Sequence, residues 1–279
     1  MEVYTMDKRP IGVFDSGLGG LTAVRHLRDI LPNENIVYFG DTGRVPYGTR
    51  SRSTIRRYAT EDCQLLLQHD VKYIIAACGT VSSVAQDILD DLPVPAIGVV
   101  QPTAAAALKA TRNGRIGILG TSATIRSASF ENAMKAIDPS IHVTATACPL
   151  FVSLVESGWI DSNDDVAVPM VRRYLAEVKA AGVDTLILGC THFPLLSPII
   201  QDEFGDGVTL IDSGRETAAA CADALRLSNS LAQRNTGCTK YFVSDQPEGF
   251  SQVAEIFLGQ SVEQAVEMVR PGHREKGTV

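Results

Sequence analysis

The segments Ile74-Ile75-Ala76-Ala77-Cys78-Gly79-Thr80 and Leu186-Ile187-Leu188-Gly189-Cys190-Thr191-His192 share one plan. Each is a short apolar run that stops at a cysteine and has a threonine close behind it. Such a run reads as a buried parallel strand whose end is delivered to the carboxyl edge of a sheet, where open α/β folds bind ligands. Two such ends point to two thiols facing one substrate.

Working outward, apolar β-rich runs at 11–14, 35–39, 73–77, 96–100, 116–119, 142–147, 185–188, 208–211 and 241–244 alternate with helical patterns such as 22–31, 54–69 and 165–181. This alternation predicts an α/β fold with mainly parallel strands. The second half also overlays the first. Ile11-Gly12-Val13-Phe14 before Asp15-Ser16-Gly17 corresponds to Ile116-Gly117-Ile118-Leu119 before Gly120-Thr121-Ser122, and the two cysteine runs correspond. Each cysteine run is followed by a strand and then by Thr-Ala-Ala-Ala, starting 25 residues after Cys78 and 27 after Cys190. We read this as an internal duplication, against the alternative of the general strand–loop–helix likeness of any α/β chain. It predicts two pseudo-symmetric lobes, each a mainly parallel sheet flanked by helices, with the active site in the cleft between them. Lobe one is expected over 1–99 with a return at 212–279, and lobe two over 100–211. The first nine residues and 271–279 are polar and expected to be loose.

The chain has 279 residues and 45% hydrophobic content, which suits two lobes, since domains run about 100–200 residues. A net charge of −7 argues against a nucleic-acid partner, because phosphate binding draws on clustered Lys and Arg. No export signal and no run of about 18 apolar residues is present, so the expectation is a cytoplasmic protein without a membrane partner. Six widely spaced cysteines (63, 78, 148, 190, 221 and 238) form no CxxC pair. In a reducing compartment they are expected as free thiols rather than metal ligands.

Paired thiols on a pseudo-twofold axis suit one kind of chemistry. A reaction that interconverts mirror images needs a base on one face of a carbon and an acid on the other, with roles exchanged in reverse. Cysteine can be poised as thiol or thiolate near neutral pH. The bland alternative is a small buried hydrophobe, which suits Cys63 and Cys221 on their helices.

Asp15-Ser16-Gly17-Leu18-Gly19-Gly20, Pro46-Tyr47-Gly48, Cys148-Pro149-Leu150-Phe151-Val152 with Glu156, and Gly189-Cys190-Thr191-His192-Phe193-Pro194-Leu195-Leu196 together resemble the cofactor-independent aspartate/glutamate racemases, specifically the glutamate racemases. The resemblance runs from about residue 11 to about 269. It implies that Cys78 takes the α-proton of D-glutamate and Cys190 that of L-glutamate. It also implies that Asp15 and Ser16 contact the substrate, with Asp15 helping to move the Cys78 proton. Homodimerisation and supply of D-glutamate for peptidoglycan are implied in the same way.

The residues carry part of this themselves. The 15–20 loop follows a strand and precedes a helix, so its glycines let backbone N–H groups approach an anion; the bland reading is an N-cap by Asp15 or Ser16. It is neither a P-loop nor a dinucleotide fingerprint. Tyr47-Gly48 reads as a turn that the resemblance raises to a substrate-binding loop. Thr80 and Thr191 are placed to cap the following helices and to give a hydroxyl to a carboxylate. Thr121 and Thr124 hold the second-lobe position equivalent to Asp15-Ser16. His192, beside Cys190, can lower a thiol's pKa or relay its proton, and Glu156 is carried over as a cleft residue assisting it.

One departure stands out. The family pattern at the first cysteine is usually Cys-Asn-Thr, whereas this chain has Cys78-Gly79-Thr80. Gly79 offers only its backbone N–H, so weaker substrate binding is expected, and Gly79→Asn is expected to lower KM. No cofactor is expected, since no lysine stands at a strand end to form the Schiff base that pyridoxal phosphate needs. Two rival readings remain: an aspartate or other acidic amino-acid racemase, and a catalytically silent amino-acid-binding module.

Overall fold

The structure, a computed structural model, describes residues 7–232, 237–262 and 266–272. Ten described strands form two sheets in which every paired neighbour is parallel. The first contains β1 (Ile11–Asp15), β2 (Ile36–Gly40), β3 (Tyr73–Ala76), β4 (Ala96–Gly98), β9 (Thr239–Val243) and β10 (Val266–Met268), in the order β10-β9-β2-β1-β3-β4. The second contains β5 (Arg115–Gly120), β6 (His142–Ala147), β7 (Thr185–Leu188) and β8 (Thr209–Asp212), in the order β6-β5-β7-β8. Strands β1, β2, β3 and β7 are buried at every residue, which is why they read as continuous apolar runs rather than alternating ones.

The internal likeness extends to register. The order β2-β1-β3-β4 repeats as β6-β5-β7-β8. Phe14 on β1 faces Ala76, the last residue of β3, and Leu119 on β5 faces Leu188, the last residue of β7. Each cysteine then lies two residues beyond its strand, so the two thiols occupy equivalent places in two like sheets.

Three helices expected from periodicity are present with shifted ends, at Leu21–Ile30, Arg52–Leu67 and Ala167–Ala180. Local caps explain two of the starts. Ser51 accepts from Thr54 N at 3.2 Å, and Asp164 Oδ1 accepts from Val166 N and Ala167 N at 2.9 and 2.7 Å, satisfying donors that a helix start leaves free. The run 96–100 is strand only to Gly98. Val99 N bonds Ser82 Oγ at 3.0 Å instead of a neighbouring strand, and Val100 already opens the helix Val100–Ala110. The short edge strand β10 has no counterpart among the expected runs; two of its three residues are exposed, so it lacks the apolar pattern of the others.

One buried cluster joins the two sheets. It contains Val13, Leu21 and Val24 beside the first sheet and Leu186, Phe193 and Leu196 beside the second. The helix Ser213–Leu227 packs on both Leu21–Ile30 and Val100–Ala110. The ends expected to be loose lie outside the described residues at 1–6 and 273–279. Asp7 and Arg9, by contrast, are tied down: Arg9 Nη2 pairs with Asp7 Oδ2 at 2.7 Å, and Lys72 Nζ donates to the Asp7 carbonyl at 2.9 Å. No described helix is long and apolar enough to cross a membrane.

Lys72 ends in a buried ion pair with Glu34 at 2.6 Å, and its Nζ also donates to the Ser230 carbonyl, while Glu34 Oε1 accepts from Ala232 N. The pair thus holds together three segments distant in sequence. Removing one partner strands the other charge, so Lys72→Met is expected to lower the unfolding free energy by about 3–5 kcal/mol. Replacing Glu34 by Gln as well should recover part of that loss. Urea unfolding of the single and double variants measures both; equal losses would count against the pairing as the cause.

Candidate active site

The carboxyl ends of β1, β3, β5 and β7 converge on one cavity of about 290 Å³. Its wall includes Ser16, Tyr47, Gly48, Cys78, Gly79, Thr80, Thr121, Glu156, Cys190, Thr191 and His192. Of the sequence-derived candidates, Asp15 and Thr124 stand behind the wall. Asp15 is 1% exposed and Thr124 2% exposed. Both cysteines are buried, at 4% for Cys78 and 7% for Cys190.

The surroundings of the two sulfurs differ. Cys78 donates to Ser16 Oγ at 3.5 Å. Burial, reinforced by the negative charge of Asp15, pushes its thiol up to about 12, against its hydrogen bonding with Ser16 and Val81 N. Cys78 therefore holds its proton at neutral pH. Asp15 is itself pushed up by burial, against the pull of the His192 charge and of the N–H groups of Gly17, Gly20 and Ser16. Its Oδ2 accepts from Gly17 N at 3.1 Å, whereas its buried Oδ1 has no hydrogen-bond partner among the described residues.

Cys190 Sγ lies 3.9 Å from His192 Nδ1, and His192 Nε2 lies 3.1 Å from Glu156 Oε1. Burial opposes charge on this ring, yet its bonds to Cys190 and Glu156 and their negative charge win, and the ring is pushed up to about 10. A ring pushed up in this way favours the imidazolium, which offers the Cys190 sulfur a positive partner when that sulfur carries charge.

The hydroxyls are arranged differently from the expectation. Thr80 is the second residue of the helix Gly79–Val84, so it caps nothing, and Thr191 caps neither of the following turns. Thr80 Oγ1 instead meets Thr121 Oγ1 across the cleft at 3.1 Å, and Thr191 Oγ1 meets His192 Nδ1 at 3.3 Å. The cap is made by Thr121, whose Oγ1 accepts from Thr124 N at 3.2 Å at the start of Ser122–Ser127. Neither Asp15 nor Ser16 caps the helix Leu21–Ile30. Tyr47 lines the cavity, but its hydroxyl is taken by Asp41 and Asp62.

Sequence reasoning missed the apolar side of the wall, which Val45, Pro46, Pro149 and Val152 form, and it missed Ser122 and Ser153. A signal existed for part of it. Val152, Ser153 and Glu156 lie on the helix Phe151–Glu156 at spacings that bring them to one face. Among the described residues of the wall there is no Lys or Arg, so hydroxyls, backbone N–H groups and His192 are the groups that can receive carboxylates.

Two glycines permit the close meeting of the sheets' ends. A Cβ on Gly79 would lie 2.3 Å from the Gly189 carbonyl oxygen, and one on Gly19 would lie 2.2 Å from Thr191 Oγ1. Gly189 cannot easily yield, because its N–H bonds the Leu119 carbonyl at 2.8 Å.

The chain matches the Asp/Glu/Hydantoin racemase family over residues 22–221, and it belongs to that family of isomerases. It is 46% identical over 256 residues to the glutamate racemase of Geobacter metallireducens, covering 91% of this chain and 94% of the relative. Among solved structures, a glutamate racemase isoform of Bacillus anthracis superposes with a TM-score of 0.90 at 36% identity, covering 94% of this chain and 98% of that one. The glutamate racemase of Francisella tularensis, solved with D-glutamate, gives 0.88 at 36% identity, covering 95% and 98%.

The Gly79 geometry reverses the expectation stated from sequence. An asparagine there adds an amide, but its Cβ meets pinned backbone beside Cys190. Gly79→Asn, and already Gly79→Ala, should lower kcat/KM by about 10²-fold, the usual cost of a misplacement near 1 Å. Steady-state kinetics with either enantiomer of the substrate decides it, and an unchanged or lowered KM at full kcat would restore the sequence-based view. The proton on His192 is open to a separate test. His192 keeps it to about 10 in the fold against an ordinary 6.5, so the stability it lends is complete below about 6.5 and lost as pH rises through about 10. Relative to His192→Gln, the wild type should lose stability between pH 7 and about 9 in urea titrations; parallel curves would refute the assignment.

Proposed function

We propose that this chain interconverts L- and D-glutamate without a cofactor, using Cys78 and Cys190 as two bases on opposite faces of the α-carbon. The observation that carries the reading is the pair of buried thiols that open from equivalent strand ends onto one cavity. The identities of 42–46% to several curated glutamate racemases support the choice of substrate.

In the L-to-D direction, Cys190 takes the α-proton with His192 beside it, and Cys78, held as a thiol, returns a proton to the other face. In the D-to-L direction the roles exchange. Cys78 must first lose its proton, and Asp15, buried close enough to raise that thiol, is the group proposed to help. Ser16, Thr80, Thr121 and Thr191, with the N–H groups of Gly48 and Gly79, are assigned to the substrate's carboxylates and amino group. Glu156 holds the His192 ring, and Thr124 acts through Thr121.

The two lobes of this reading are 1–99 with 212–279, and 100–211; strands drawn from 11–98 and 239–268 for one sheet and 115–212 for the other support that division. The family likeness further supports a homodimer working in a bacterial cytoplasm, with D-glutamate passing to peptidoglycan synthesis.

Different surroundings for the two thiols do not make kcat/KM differ between directions. Enantiomers have equal free energies, so kcat/KM must be the same for both at every pH, and the asymmetry is confined to kcat and KM taken separately. Cys78→Ser and Cys190→Ser should each reduce racemisation of glutamate by about 10²–10⁴-fold, the usual worth of a positioned acid or base. In deuterated water, deuterium should appear in the product enantiomer before it appears in the remaining substrate, because a different thiol serves each face. Full activity in both serine variants, or equal early labelling of both enantiomers, would sink the two-thiol scheme; turnover of aspartate alone would sink the choice of glutamate.

A further inference from the structure

The loop that brings Tyr47 and Gly48 to the cavity is held from behind by charged groups that the proton-transfer scheme leaves unused. Asp41, Arg44 and Tyr47 recur every third residue through the turns Thr42–Arg44 and Tyr47–Thr49, and they meet Glu61 and Asp62 on the helix Arg52–Leu67. Arg44 Nε donates to Asp41 Oδ2 at 2.5 Å, Nη2 donates to Asp62 Oδ1 at 2.8 Å, and Nη1 donates to Glu61 Oε2. The guanidinium also lies 4.1 Å over the Tyr58 ring. Asp41 and Asp62 are fully buried.

Two fully buried carboxyl groups, Asp41 and Asp62, around one guanidinium put one negative charge in excess where solvent does not reach, a cost that one added proton removes; Glu61, the third partner of Arg44, is partly exposed. The Tyr47 hydroxyl shows where that proton sits. It is within reach of Asp41 Oδ2 and, at 3.0 Å, of Asp62 Oδ2, yet a phenol has a single hydrogen to give. One of these two bonds must therefore be donated to the phenol oxygen by a carboxylic acid. Asp41 Oδ2 already accepts from Arg44, so it is the acceptor of the phenol hydrogen. Asp62 Oδ1 accepts from Arg44, which leaves Asp62 Oδ2 as the protonated oxygen. Burial, with Asp41 beside it, raises the Asp62 carboxyl well above its ordinary range, in agreement with the bonding pattern.

We propose that Asp62 is a neutral acid which, together with Arg44 and Asp41, clamps Tyr47 and so positions the 45–49 wall of the cavity for the substrate. None of the three lines the cavity, so they are positioning residues. The Tyr47 hydroxyl is fully committed to this clamp.

The proposal rests on the racemase reading only for its kinetic readout. Asp62→Ala removes the two bonds that Asp62 gives the clamp, to Arg44 and to Tyr47, and should raise KM for glutamate about tenfold, with a smaller change in kcat. Asp62→Asn reproduces the neutral acid, since its amide N–H donates to Tyr47 while its carbonyl accepts from Arg44, and it should bring KM back to within about twofold of wild type. Tyr47→Phe, which keeps the ring and removes the clamped oxygen, should also raise KM and serves if the alanine variant does not fold. An asparagine variant as impaired as alanine would overturn the neutral-acid assignment. A folded Asp62→Ala or Tyr47→Phe variant with unchanged KM would overturn the positioning role. Wild-type enzyme that fails to racemise glutamate would refute the proposed function instead; the clamp would then be judged by thermal midpoints, lowered in alanine and held in asparagine.

Discussion

The site depends on how closely two sheet ends approach each other. At Gly79 there is room for a hydrogen and nothing larger, because the Gly189 carbonyl lies where a Cβ would stand. That contact places the residue after Cys78 against the residue before Cys190. Two strands from different sheets are thereby locked end to end, and both thiols open onto one small space. The second tight approach, Gly19 against Thr191 and His192, fixes the same seam from the loop after β1. Protein interiors are close-packed and yield little to added volume, so the chemistry of the cavity is tied to backbone geometry.

Burial then sets the electrostatics. Each sulfur is nearly closed off from solvent, and a thiol in such a place resists ionisation unless a charge or donor offsets the cost. The two halves answer this in opposite ways. At Cys78, burial and then the neighbouring Asp15 carboxyl push the thiol up; beside Cys190 stands His192, braced by Glu156 and itself pushed up. A duplicated framework thus carries unlike surroundings for two groups that exchange acid and base roles in the proposed reaction. The cluster around Arg44 follows the same rule, with a shared proton relieving an excess of buried carboxylates.

Much of this was legible in the residues. Strands buried on both faces show as unbroken apolar runs, so β1, β3, β5 and β7 and the cysteines at the ends of β3 and β7 stood out, as did their repetition. The edge strand β10 was not legible, because an edge needs no apolar pattern. Thr80 and Thr191 look like caps in sequence, yet the helix begins at Gly79 and turns Thr80 across the cleft. Tyr47 looks like a substrate contact, yet its hydroxyl is held by carboxyl groups six and fifteen residues away.

The sequence by itself determined the parallel α/β class, the internal repeat and the two thiols, since all three follow from local pattern: apolar run length, residue type at a strand end, and spacing. Tertiary structure alone decided what those residues touch. The meaning of Gly79 shows the difference. As a letter it is a missing amide, whereas in the fold it is the space that lets Gly189 and Cys190 come near, because excluded volume between segments over 100 residues apart leaves no trace in local sequence.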